Sequence, residues 1–141
     1  MKKYEVSLEM KKQVRQIAER YGLSLIVLFG SRAELRDNKQ SDVDVAYMTD
    51  ETAGKKLSFE DELALAREFE VLFKAPRADI IRLTNTSPLF MYMILQDGVI
   101  LFEKESALFP EMYTYALKRF EDNMPLYRQR FEYLRNYYHV H

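Results

Sequence analysis

Hydrophobic and polar positions along the chain switch several times between helical and strand periodicity. In "SLEMKKQVRQIAERY", residues 7–21, Met10, Val14 and Ile17 recur on one helical face. Ser7 stands where an N-cap is expected and Gly22 where the helix should end. "LSLIVLF", Leu23 to Phe29, is continuously apolar and rich in branched side chains, the pattern of a strand covered on both faces. Gly30-Ser31 stops it. "RAEL" suggests a short helix and the polar "RDNKQS" an exposed loop. "DVDVAYMT", Asp42 to Thr49, alternates and then runs apolar, which predicts a second strand.

After the loop "DETAGKK", Ser58 to Phe73 reads as a helix with a capping box, Ser58 at the N-cap and Asp61 three residues on. Pro76 interrupts, and Ala78 to Leu83, "ADIIRL", predicts a third strand. Ser87 and Pro88 form a strong helix start, with Gly98 as the stop. "VILFEK" predicts a short strand. From Ser106 onward the pattern is helical, with Pro110 near the beginning and Pro125 placed to kink or split it. The order α-β-(α)-β-α-β-α-β-α implies a mixed α/β domain with helices packed on a small sheet. Strand order does not follow from it.

Composition narrows the chemistry. The chain has 141 residues, enough for one domain with a real core. A net charge of −1 gives no broad basic footprint for nucleic acid. There is no cysteine, which excludes disulfides, zinc-thiolate sites and a cysteine nucleophile. The two histidines, His139 and His141, lie at the C-terminal end, so acid–base and metal chemistry falls to Asp and Glu. No apolar run is long enough for a membrane span and no signal peptide is evident, so a cytoplasmic protein is expected.

Asp42 and Asp44 are the anomaly. Residues i and i+2 of a strand share a face, so the two carboxylates project together while Val43 and Val45 face the opposite side. Like charges set side by side in a half-buried strand are costly unless a cation or hydrogen-bond donors compensate. Mg²⁺ suits such a pair, because it takes a few carboxylates, retained waters and substrate phosphates. Gly30 permits a tight turn and close ligand approach, and Ser31 would open a short helix whose free N–H groups favour phosphate oxygens. Asp79 heads the next strand and is the best third carboxylate for a two-metal site, in which paired ions sit about 3.5–4 Å apart. The ordinary alternatives are a solvated strand end for Asp42 and Asp44, an N-cap for Ser31 and a turn residue for Asp79. Arg32 is a further candidate for phosphate contact, against a merely solvated arginine. Arg77 and Arg82 flank Asp79 and are placed to pair with it or to touch a nucleotide.

"GSRAELRDNKQSDVD" carries glycine-serine, ten residues and then Asp-x-Asp. At background frequencies of roughly 7% for Gly and Ser and about 5% for Asp, that spacing arises by chance in on the order of one chain in several hundred. The motif is specific enough to name a family: it resembles the polymerase-beta-like nucleotidyltransferases, over roughly Leu23 to Lys104. The small size is similar to the minimal nucleotidyltransferases, the MNT-type antitoxins found beside HEPT-domain toxin ribonucleases.

The resemblance implies a small mixed sheet flanked by helices, a core at about 23–104 and a C-terminal helical segment at about 105–138 within one domain, 1–141. It implies that Gly30 and Ser31, with Arg32 beside them, hold the triphosphate of ATP. Asp42, Asp44 and Asp79 would ligate two Mg²⁺ ions. The implied activity is protein adenylylation: AMP passes to a hydroxyl, usually a tyrosine, of a partner HEPT-type toxin, silencing it. One departure is local: relatives often carry a further glycine shortly after the serine, where this chain reads "GSRAEL".

Tyr113 to Tyr138 interleaves Tyr and Phe with Arg, more aromatics than one packing stripe needs, and Tyr and Arg are common interface anchors. This keeps a second reading open, an antitoxin that neutralises its partner by steric binding without catalysis. A third, an aminoglycoside-type small-molecule nucleotidyltransferase, needs acceptor surface that a chain this short supplies only as a homo-oligomer. No membrane and no direct nucleic-acid partner is expected.

Overall fold

The structure is a computed structural model that describes residues 3–35, 41–53 and 56–138. The first helix forms as α1, Leu8–Tyr21. The Ser7 hydroxyl accepts from the Met10 N–H, and Gly22 closes the helix in the left-handed conformation. β1, Leu23–Phe29, follows at once. The "RAEL" segment is no helix: residues 31–35 form turns, held by Glu34 N–H to the Gly30 carbonyl at 3.4 Å and Leu35 N–H to the Arg32 carbonyl at 3.3 Å. Leu35 then takes a left-handed φ of 56°, which no helix continues through. Of the expected loop 36–41, only Ser41 lies within the described residues, and His139 and His141 lie outside them.

β2 spans Val43–Thr49, so Asp42 stands one residue outside the strand expected to begin with it. α2, Phe59–Phe73, carries the full capping box between Ser58 and Asp61. β3 is Ala78–Arg82, with Leu83 passing into a 3-10 turn. α3 is Pro88–Asp97 and β4 Val99–Glu103. α4 runs unsplit from Leu108 to Tyr138 with Pro125 inside it.

The sheet order is β3-β2-β1-β4. β1 pairs antiparallel with β2 and β4, while β2 and β3 run parallel. Central β1 is therefore paired on both edges and covered on both faces, as its apolar run, interrupted by Ser24, requires. On one face, Val14 and Ile17 of α1 and Leu65 and Phe69 of α2 pack with Ile26 and Val45. On the other, Met91, Ile94 and Leu95 of α3 and Ala116 of α4 pack with Leu25 and Ala46. Each Val, Leu, Ile, Phe or Met side chain so withdrawn from water contributes about 1.5–3 kcal/mol. In β2, Val43, Val45 and Tyr47 join the α1/α2 layer and Ala46 the α3/α4 layer. Alternation thus turns Asp44 to the α3/α4 face at the start of the strand.

Candidate active site

The acidic cluster is assembled by strand register. Asp44 and Asp79 are directly opposite in the parallel β2–β3 ladder, so their side chains leave the same face of the sheet. Asp42 precedes Asp44 by two extended residues and completes the group. Asp44 is half-buried, and its carboxyl is pushed above the ordinary carboxylate range, first by burial and then by the negative charges of Asp79 and Asp42. The structure therefore pairs Asp44 with Asp79 across the ladder and leaves Asp42 exposed beside them, near enough for its charge to act on Asp44. Among the described residues, Asp79 has a cationic neighbour in Arg77, whose Nη2 lies 3.2 Å from its Oδ1. That pair is exposed and of small energetic weight.

Gly30 supplies the other wall. Phe29, the last residue of β1, pairs with Asp44, and Gly30 then turns with a left-handed φ of 78°. A Cβ at this position would overlap the Asp44 carboxylate, standing 3.2 Å from its Cγ. Only glycine allows the turn to pass so near the acid. Ser31, half-buried, follows directly in the turn.

Arg32 is placed differently from the other candidates. Its Nε and Nη2 donate to the Ser41 carbonyl at 3.2 and 2.8 Å, and its Nη1 donates to the Phe73 carbonyl at 3.3 Å. Sequence reasoning missed the aromatic neighbour of the cluster. Phe29, opposite Asp44, meets Phe90 of α3 edge-on with ring centroids 5.8 Å apart, and Phe90 remains partly exposed beside the site. The Ser87-Pro88 signal located the start of α3 but carried no information on which strand end it would cover.

The donor chemistry suits Mg²⁺: clustered carboxylates, a half-exposed face for retained water, and a glycine cradle for an approaching phosphate. Among the described residues no three acidic or imidazole side chains stand as a ready-made cage for one ion. Asp79 is instead turned to Arg77.

The family model described as "Polymerase beta, Nucleotidyltransferase" matches residues 12–107, which contain every element of this site. No curated protein matches the sequence. Among solved structures, a chain of a crystal structure of a toxin–antitoxin with AMP-PNP superposes with a TM-score of 0.73 at 15% identity, covering 88% of this chain and 97% of that one. A chain of the tri-AMPylated Shewanella oneidensis HEPN toxin in complex with MNT antitoxin gives a TM-score of 0.68 at 15% identity, covering 89% and 96%. A chain of the MntA-HepT toxin–antitoxin gives 0.68 at 14% identity, covering 91% and 98%. At these identities the likeness is one of fold.

Proposed function

The chain belongs to the polymerase beta nucleotidyltransferase family, and from that premise we propose that it is the antitoxin of a toxin–antitoxin pair and transfers AMP from ATP to a tyrosine hydroxyl of a HEPN/HepT-type toxin. The observation that carries the reading is the register pairing of Asp44 with Asp79, with Asp42 alongside and Gly30 against the Asp44 carboxylate. The structural neighbours that include AMP-PNP and an AMPylated HEPN toxin give it further support.

Asp42, Asp44 and Asp79 would hold Mg²⁺, and the bound ions would supply charge neutralisation at the transferring phosphoryl group. Gly30 and Ser31 present backbone and hydroxyl donors to the triphosphate. Asp79 releases Arg77 and accepts the proton of the acceptor hydroxyl. The hydroxyl oxygen bonds to the α-phosphorus, the bond from that phosphorus to the bridging oxygen breaks, and pyrophosphate leaves. Phe29 and Phe90 form an apolar wall that excludes water from one side of the reacting group.

Incubation with ATP, Mg²⁺ and the cognate toxin should add whole AMP increments to the toxin by intact mass. The paired substitution Asp42→Asn with Asp44→Asn should abolish them. Unchanged increments in that variant would reject the mechanism.

The exposed aromatic end of α4 favours one second reading, neutralisation by binding alone. In that case the acidic-site variant still protects cells from the toxin, whereas loss of the α4 end does not.

A further inference from the structure

Arg32 sits where a phosphate contact is expected, but each of its guanidinium nitrogens donates to a backbone carbonyl elsewhere. We propose that Arg32 is a positioning residue: its guanidinium fixes the entry of β2, and thereby holds Asp42 in place beside Asp44 and Asp79. The proposal rests on the nucleotidyltransferase reading for what the carboxylates do.

The geometry is that of a clamp between three segments. Two nitrogens of one guanidinium, Nε and Nη2, converge on the Ser41 carbonyl at 3.2 and 2.8 Å. Nη1 reaches the Phe73 carbonyl at 3.3 Å. Arg32 itself lies in the turn directly after Gly30-Ser31, so the side chain joins that turn, the entry of β2 and the end of α2. Phe73 is the last residue of α2, where helix carbonyls lack intrahelical partners and favour a cation.

Asp42 needs such a device because it lies outside the β ladder, which begins at Val43. On its C-terminal side the chain is pinned by the Val43 N–H, which donates to the Arg77 carbonyl at 2.9 Å. On its N-terminal side it is pinned by Arg32 through Ser41. Asp42 is thus bracketed at both neighbours, and Arg32 supplies two guanidinium bonds to the N-terminal bracket. Lysine cannot substitute, since a single ammonium lacks the planar fork that serves two carbonyls in different directions. The three bonds use one N–H of each guanidinium nitrogen, and the positioning role uses them as they stand.

Arg32→Ala and Arg32→Lys test this in the full chain through three readouts. Hydrogen exchange at the Asp42 and Val43 amides should quicken about tenfold or more in both variants, while exchange in β1 stays as in wild type. Mn²⁺ affinity, read by electron paramagnetic resonance without nucleotide, should fall about 10–100-fold in both, the usual loss when a residue orienting metal ligands is removed. Affinity for a fluorescent ATP analogue in excess EDTA should stay within about twofold.

Unchanged exchange and unchanged Mn²⁺ affinity would overturn the proposal. So would a metal-free ATP affinity lost in Arg32→Ala and restored in Arg32→Lys, which marks a phosphate contact. If the wild-type chain neither binds Mn²⁺ nor transfers AMP, the nucleotidyltransferase reading fails, and the exchange measurement still decides whether Arg32 holds the β2 entry.

Discussion

At the scale of single residues, the site is a contest between repulsion and backbone constraint. Gly30 shows the constraint. Its left-handed φ and the overlap that a Cβ would make with the Asp44 carboxylate act together. Gly30→Ala should lose about 1–2 kcal/mol from the left-handed backbone alone, read by urea denaturation, and AMP transfer should fall well beyond that loss because Asp44 must move.

Asp44 shows the repulsion. Its folded carboxyl is raised, so the native state binds a proton more readily than the unfolded chain. Stability from this group is therefore present at low pH and lost as pH rises through the raised value. Asp44→Asn should raise the Tm of the metal-free protein at neutral pH by a few degrees at most, about 1 kcal/mol or less after screening of a half-exposed group. The gain should vanish below about pH 4, where the unfolded-state Asp is itself protonated. Thermal melts across pH check the sign.

The placement of Gly30 beside Asp44 was legible because their spacing is local in sequence and the strand period fixes the face of Asp44. The contacts of Arg32 were not. Its partners lie 9 and 41 residues away, and no periodicity encodes a side chain reaching two distant carbonyls.

At the scale of elements, starts and stops were the most legible feature, since capping chemistry is local. Ser7, Ser58 and Ser87 each accept the backbone N–H three residues on, as read. The "RAEL" helix failed because the segment closes with Leu35 in a left-handed conformation, through which no helix continues. Pro125 marks the converse. The missing N–H costs a bond to the residue four before, yet α4 continues through it because its flanking turns are otherwise intact.

Gly98 was read as a helix stop, and it is one, but its stronger constraint is closeness. A Cβ there would stand 2.5 Å from Val27 Cγ1 and 3.0 Å from the Leu28 carbonyl, at the junction of α3, β1 and β4. Gly98→Ala should therefore destabilise by about 1–3 kcal/mol through overpacking, visible as a lower denaturation midpoint.

At the scale of the whole molecule, the sequence supplied the elements but not their arrangement. Alternating strands and helices are compatible with several sheet orders, and the order β3-β2-β1-β4 with one parallel pair is decided by which strand edges meet after collapse. That arrangement also sets α4 apart. Its first half packs on the body: Phe120 lies 4.8 Å from Tyr92 between ring centroids, and the Tyr127 hydroxyl accepts from the Leu89 N–H at 3.2 Å. From Arg128 to Tyr137 every side chain is exposed, including Phe131, Tyr133 and Leu134. An apolar surface of this kind on a projecting helix is the usual mark of a partner face. If it docks the toxin, Phe131→Glu with Tyr133→Glu should weaken the complex by about tenfold or more, roughly 1.4 kcal/mol, because desolvating two carboxylates opposes burial. The fold itself should change by no more than about 0.5 kcal/mol, since neither side chain contributes to the core. Titration calorimetry against the toxin, beside a thermal melt of the variant alone, separates the two effects. Unaltered affinity would place the toxin on another surface and leave AMP transfer, rather than grip, as the means of neutralisation.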